Sequence, residues 1–359
     1  MNSLLVSPEV FRTDGGIARI LRLYLQALCA NAGEHDEVAG IVLNDDNPAP
    51  PGLAAYSGPA LRRWTACRRR RLQFVAHVVL QSRRADRVVC GHLHLLPIVR
   101  MAQRFQRRLT YSLVAHGIEV WRPYSAAEKR ALLGAAQILC VSDFTRRQML
   151  RFLPALDPRR LLVVPNALDP HLHSGSAPAV FPIPSDGPRL LTVSRLSAAD
   201  SYKGIDTLIE ALPRIRRRYP ATKLRIVGTG DDLPRLQDLA LRFDVNDAVE
   251  FSGRLDDEAL QAAYAACDLF ALPSRREGFG LVFLEAMSHG KACVGARAGG
   301  IPEVINERVG ALAGYANISE ITAAVIDLVR HPRPPEAIRR HADSFGFNIL
   351  QQQLRAVLA

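Results

Sequence analysis

Short apolar runs of strand length alternate with amphipathic runs of helix length along almost the whole chain, and the alternation runs twice. In the first half "SLLVSP", "EVAGIVL", "DRVVCGH", "LTYSLVAHG", "AQILCVS" and "RLLVVPN" read as strands. The first is followed by "GGIARILRLYLQALCAN", which has the three- and four-residue apolar spacing of a helix. Strands separated by helices pair in parallel, so this order predicts a doubly wound α/β sheet. Between His171 and Pro188 the stretch "HLHSGSAPAVFPIPSDGP" has no period and is rich in Pro, Ser and Gly, which marks a linker. The alternation then restarts with "RLLTVSRL", "TKLRIVGTG", "AVEFSG", "DLFALPS" and "KACVGAR". The reading is one domain over residues 1–170, a linker over 171–188, a second domain over 189–342, and a C-terminal helix over 343–359 that can return to the first domain. That helix, "FGFNILQQQLRAVL", follows a region read as broken, "RHPRPPEAIRR".

A chain of 359 residues fits two such domains, given about 100–200 residues for each. Its 48% apolar and 23% charged residues are globular proportions. The start "MNSLLVSPEVFRTDGG" has no basic leader, so no signal peptide is expected, and no apolar run approaches the roughly 20 residues of a membrane span. The six cysteines are scattered without a C-x-x-C pair, as suits reduced, buried thiols in a cytoplasm. The net charge of +11 is uneven: thirteen arginines, including "CRRRRLQF", face the single acid Asp86 between Leu61 and Arg108. Aromatic interleaving and nucleic-acid motifs are missing there, so the segment reads as a surface for an anionic membrane or as a solvated helix face.

The densest chemical pattern is "SRREGFGLVFLEAM", Ser274 to Met287. Gly278 and Gly280 allow a tight turn, and the apolar spacing after them starts a helix near Gly280. The first amides of that helix, from Phe279 through Leu281 to Val282, lack carbonyl partners within it and sit at its partly positive end, a place for phosphate or sugar oxygens. Glu277 and Glu285 flank them as acceptor-only groups, which suits a ligand carrying both an anion and hydroxyls, such as a nucleotide sugar. Gly15, His116, Arg195, Gly228 and Glu277 all fall at carboxyl ends of expected strands, where open α/β sheets bind ligands, and together they imply one cleft.

With these residues the sequence resembles the retaining glycosyltransferases of GT-B architecture, specifically family 4, over nearly its whole length. "EGFGLVFLEAMSHGKACVGARAGGIPEVI" matches the family's E-x7-E block; "VSRLSAADSYKGIDTLIEAL", "VGTGDDLPRL", "VSDFTRRQML", "VVPNALD" and "GGIARI" are further matches. The resemblance implies two Rossmann-like domains and transfer of a hexose, mannose or glucose, from a nucleotide diphosphate sugar. It implies that Arg195 and Lys203 bind the donor phosphates, that Glu285 holds the ribose, and that Glu277 and the amides after it contact the sugar and distal phosphate. Gly15 and Gly16 would touch the diphosphate and acceptor, His116 would lie beside the donor sugar, and Gly228 and Gly230 would lie near the base and ribose.

Arg195, Lys203 and the helix start would stabilise the charge on the departing diphosphate, so neither metal nor cofactor is expected. No motif places a second carboxylate as nucleophile, which favours front-face attack with the donor phosphate taking the acceptor proton. The donor motifs cluster in the second domain, leaving the acceptor to the first. The arginine-rich segment there suggests a lipid-linked saccharide of cell-surface polysaccharide synthesis, in the cytoplasm or peripherally on the inner membrane face, and no nucleic acid. The alternatives are a non-catalytic nucleotide-sugar-binding partner of another transferase and a GT-B hydrolase or epimerase. "HLH" at His92 to His94 reads as two imidazoles on one strand face without a third metal ligand; "NDD" at Asn44 to Asp46 reads as a loop, and "LDDE" near Asp257 as a helix cap.

Overall fold

The computed structural model describes residues 1–172 and 183–358, so residues 173–182 of the expected linker lie outside the described residues. The chain divides into two compact units, one from Met1 to His171 that also takes the C-terminal segment from Gly346, the other from Leu172 to Phe345.

In the first unit seven strands form one parallel sheet: β1 (Ser3–Ser7), β2 (Val38–Val42), β3 (Leu61–Ala66), β4 (Arg87–Cys90), β5 (Thr110–Ala115), β6 (Gln137–Cys140) and β7 (Leu161–Val163). Their order is β3-β2-β1-β4-β5-β6-β7, so the winding reverses between β1 and β4. The central strand β1 is buried at all five positions, because helices cover both faces of a parallel sheet. In the second unit β8 (Arg189–Val193), β9 (Lys223–Val227), β10 (Val249–Gly253), β11 (Leu269–Leu272), β12 (Ala292–Ala296) and β13 (Gly310–Ala313) pair in parallel in the order β10-β9-β8-β11-β12-β13. Its reversal falls between β8 and β11. Among the described residues no helix is long and apolar enough to cross a membrane. All six cysteines are unpaired and buried.

Several local readings change. "LRRWTA" is the edge strand β3, whose exposed Arg62 and Arg63 blur the apolar alternation. The arginine-rich segment is therefore not one helix face: Arg68 and Arg69 form a turn with φ of 52° and 64°, and a helix follows from Arg71 to Ser82. The region read as broken holds a helix, Pro335–Asp343. Pro335 stands at its first position, where the missing amide and fixed φ favour a start, and Ile338 and Ala342 form its buried face. The last helix spans Phe347–Leu358, four residues later than read. It packs Leu350, Leu354 and Leu358 in the first unit, where the Asn31 side-chain amide donates to the Gln351 carbonyl at 3.0 Å. "HLH" is not on a strand: β4 ends at Cys90, and His92 caps a single helical turn, Leu93–Leu95.

The loops after β8 and β9 pass so closely that Gly228, at φ 144°, leaves no room for a Cβ, which would meet the Ser194 carbonyl oxygen at 1.7 Å. Gly253, at φ 66°, has nothing within 4 Å of that position. Gly228→Ala is therefore expected to cost about 3 kcal/mol or more, combining a backbone clash with a forbidden φ. Gly253→Ala should cost only the left-handed penalty of about 1–2 kcal/mol. Urea unfolding of the two variants beside the wild type measures the difference; equal losses would mean that the loop approach is soft.

Candidate functional site

At the carboxyl ends of the second sheet, three loops converge on Glu277. The loop after β8 ends in the short helical turn Ala198–Lys203 and then Gly204, at φ 73°. A Cβ on Gly204 would lie 2.7 Å from the Pro273 carbonyl oxygen, so this glycine lets the loop press against the one that follows β11. Lys203 is thereby brought to Glu277, Nζ to Oε1 at 2.5 Å, with side chains only 18% and 13% exposed. From the other side, the Gly300 amide donates to the Glu277 carbonyl at 2.8 Å, and Gly299, at φ 61°, passes close to the same residue. Gly204, Gly299 and Gly300 lie within the motifs, and the signal in the sequence that points to them is a glycine at the end of a strand-to-helix loop.

Arg195 is not part of this ion pair, but it lines one small pocket together with Asp200 and Lys203. It is 78% exposed and its guanidinium meets Asp200 at 3.0 Å. The Tyr202 ring lies under two cations, Lys203 Nζ at 5.7 Å and the Arg276 guanidinium carbon at 5.5 Å. Gly278 and Gly280 form the expected turn, with Gly280 at φ 96° capping the helix Leu281–Ser288. Leu281 and Val282 occupy its first turn, and the Phe279 ring is buried against Phe345. Glu285 is no ordinary exposed helix residue: it is 6% exposed, and its Oε2 accepts a hydrogen bond from the buried Tyr264 hydroxyl at 2.8 Å. Tyr264, from the helix Asp257–Ala266, escaped the sequence reading because an apolar helix face is its ordinary place. Gly230, like Gly228, lies against the loop after β8: its Cβ would meet the Leu196 carbonyl oxygen at 2.0 Å. Both glycines thus have a structural reason inside the chain. A cavity of about 450 Å³ opens at the amino ends of β8 to β10, the opposite edge of the sheet, and none of the candidate residues lines it.

In the first unit Gly15 caps the helix Gly16–Ala30 without a side-chain cap, at an ordinary φ of −66°. A Cβ there would meet only Thr13 Oγ1, at 3.7 Å, so nothing within the chain demands glycine. The loop before it is held by two residues the sequence reading passed over. Buried Asp45 accepts the amides of Val10 at 3.1 Å and Phe11 at 3.0 Å, and Arg22 donates to the carbonyls of Val10 at 2.8 Å and Thr13 at 2.9 Å.

Beyond β5, His116 directs Nε2 to the Gly91 carbonyl at 3.0 Å, while its amide donates to Glu119 Oε1 at 2.5 Å. A carbonyl can only accept, so Nε2 carries the proton and Nδ1 is an acceptor. His92 Nδ1 accepts the His94 amide at 3.2 Å, and His94 Nε2 accepts from Arg122, which also pairs with Glu128 at 2.7 Å. Burial drives His116 and His92 down to about 4, pushes the Glu119 carboxyl up, and the Arg122 guanidinium holds Glu128 down at about 2. Among the described residues no group of three or more His, Cys, Asp or Glu is arranged to hold a metal ion.

These histidines make stability depend on pH with a definite sign. An unfolded histidine takes its proton near 6.5, whereas His92 and His116 in the fold stay neutral down to about 4. Stability is therefore full above about 6.5 and falls as pH drops toward 4, while Glu119, protonated more readily in the fold, offsets part of the loss. A net loss of about 1.4 kcal/mol per pH unit is expected for each uncompensated proton. Melting curves from pH 7 to pH 4.5 should show this slope and a shallower one for His92→Gln; equal slopes would contradict it.

A model of "Glycosyltransferase Family 4" matches residues 14–172, and one of "Glycosyl transferases group 1" matches residues 176–345. A GDP-mannose-dependent alpha-(1-6)-phosphatidylinositol monomannoside mannosyltransferase of Mycolicibacterium smegmatis is 40% identical over 161 residues, which is 43% of this chain and 41% of that protein. A glycogen synthase of Mycobacterium tuberculosis is 38% identical over 161 residues, 44% of this chain and 38% of that protein. The matches thus span less than half the length of these relatives. Anabaena HepE in complex with UDP superposes with a TM-score of 0.78 at 20% identity, covering 100% of this chain and 99% of that one, which establishes the GT-B fold. Two doubly wound units, each matched by one of the two family models, place the chain among the GT-B glycosyltransferases of family 4.

Proposed function

We propose that the chain transfers a hexose, mannose or glucose, from a nucleotide diphosphate sugar to an acceptor hydroxyl with retention at the anomeric carbon and without a metal ion. The observation that carries this reading is the part-buried Lys203–Glu277 pair beside the start of the helix Leu281–Ser288. It supplies a fixed cation, an acceptor for sugar hydroxyls and open amides at the point where the second sheet reverses. In this reading Lys203 and Arg195 bind the diphosphate, Glu277 and the amides from Gly278 to Val282 hold the sugar and distal phosphate, and Glu285 holds the ribose. His116, neutral and with Nδ1 as acceptor, serves the sugar, and the Gly15–Gly16 loop serves the diphosphate and acceptor. The spare room at Gly15 supports that role: glycine is unexplained by the chain's own packing and is what a closely approaching ligand would require.

As the bond from the anomeric carbon to the phosphate oxygen breaks, negative charge gathers on the diphosphate, where Lys203, Arg195 and the helix start meet it. The acceptor oxygen forms its bond to the same face, and its proton passes to the leaving phosphate. The M. smegmatis relative, named for GDP-mannose and a phosphatidylinositol mannoside, supports a mannose donor and a lipid-linked acceptor. That acceptor agrees with the arginines between Leu61 and Arg108 and with a peripheral place on the inner face of the cell membrane.

Lys203→Ala and Arg195→Ala are each expected to lower turnover roughly a hundredfold, the equivalent of about 3 kcal/mol of lost charge stabilisation. The assay is hexosyl transfer with EDTA present throughout. Near-normal turnover in both variants would remove the donor-site assignment, and a loss of wild-type activity restored by Mg²⁺ would remove the metal-free mechanism. Tyr264→Phe tests the ribose assignment, because its hydroxyl orients Glu285. The wild type should prefer a nucleoside diphosphate over its 2′,3′-dideoxy analogue, and the variant should lose most of that preference while its melting temperature changes little. A wild type without the preference would refute the role of Glu285; a variant that keeps it would refute the role of Tyr264.

A further inference from the structure

The helix Arg71–Ser82 is apolar on two sides. Phe74 and Val78 are in the core, at 1% and 0% exposure, yet Leu72 and Leu80 on the outer side are 87% and 55% exposed. Leu72, Ala76 and Leu80 follow one another at four-residue steps, and all three are exposed, so they form one outward stripe. Phe105, 57% exposed, adjoins the far end of the helix, where the Arg83 guanidinium lies 5.9 Å from its ring.

Arginines bracket this stripe. At its start stands the turn from Arg68 to Arg71, held by the Arg68 amide on the Asp45 carbonyl at 3.1 Å and the Arg69 amide on the Leu43 carbonyl at 2.7 Å. Its backbone is left-handed at two non-glycine residues. At the other end are exposed Arg83, Arg84, Arg104, Arg107 and Arg108. An outer stripe of leucine with cations at both ends matches a surface that is apolar below and anionic above, so that the side chains enter the acyl boundary while the guanidinium groups stay with the phosphates. A second copy of the chain fits less well, because a self-complementary pairing of the helices would set arginines against arginines.

We propose that the helix Arg71–Ser82 lies in the headgroup layer of an anionic bilayer, with Leu72, Ala76, Leu80 and Phe105 inserted and the flanking arginines on lipid phosphates. This rests on the lipid-linked-acceptor reading above and adds to it a specific depth and orientation. Attraction by arginines alone is screened by salt, whereas insertion of leucine is not.

Co-sedimentation with vesicles of phosphatidylglycerol and phosphatidylcholine at low and high salt separates the two contributions. Wild-type protein should bind at low salt and keep part of that binding at high salt. Leu72→Ser with Leu80→Ser, both on the surface and so harmless to folding, should lose the salt-resistant part, roughly a tenfold to hundredfold drop in partitioning. Arg70→Ser with Arg71→Ser should lose mainly the low-salt part. If the wild type stays in solution at low salt, both this proposal and the membrane reading fall. If the leucine variant binds like wild type at both salts, the stripe is not inserted and only the electrostatic reading survives. If the wild type elutes as a dimer that the leucine substitutions dissociate, the stripe covers a second copy of the chain and the proposal is wrong.

Discussion

Two opposite charges, each less than a fifth exposed, sit 2.5 Å apart in Lys203 and Glu277, and close loop contacts beyond the second sheet keep them there. Neither could be buried alone without several kcal/mol of desolvation cost, at the order of magnitude known for such groups. Each comes from a different loop, so both loops must be brought into contact at backbone level. That contact is made by Gly204 against Pro273 and by Gly299 and Gly300 against Glu277. The pair is thus a lock on three loops.

The first unit solves a different problem, the holding of neutral imidazoles, and does so with fixed partners. His116 is committed to one tautomer by the Gly91 carbonyl, and His92 by the His94 amide. Burial removes the cationic form of both from the range near neutral pH. His116 therefore offers a lone pair on Nδ1 and no positive charge, which fits contact with a sugar hydroxyl and does not fit stabilisation of a phosphate. The two units thus offer different chemistry near these residues: a part-buried Lys203–Glu277 pair in the second, and neutral imidazoles held by fixed partners in the first.

The winding of both sheets was legible in the sequence because buried parallel strands are continuous apolar runs, as in "RLLTV" and "DRVVC". The edge strand β3 was not, since its arginines point outward and break the run, and Pro335–Asp343 was misread because three prolines hide a helix whose start one of them favours. Within the site, Lys203 and Glu277 could be named from their motifs, and the structure brings them together. Tyr264 and Arg22 could not be named, because a tyrosine or arginine that orients a loop or a carboxylate leaves no local spacing in the sequence; only the fold places Tyr264 beside Glu285, twenty-one positions away.

The glycines show most directly where sequence reading ends. Gly15 and Gly228 look alike in one dimension, each between a strand and a helix and each within a motif that suggests a phosphate or nucleotide. In the fold they differ in kind. Gly228 is demanded by the Ser194 carbonyl, so its presence is explained before any ligand is considered. Gly15 has an ordinary φ and open space around it, so the chain itself would tolerate alanine there. A glycine that folding does not require is stronger support for a ligand's close approach than one that it does. By that criterion the loop after β1 has room that its own chain does not use, whereas Gly228 and Gly230 are accounted for by their approach to the carbonyls of Ser194 and Leu196 on either side of Arg195.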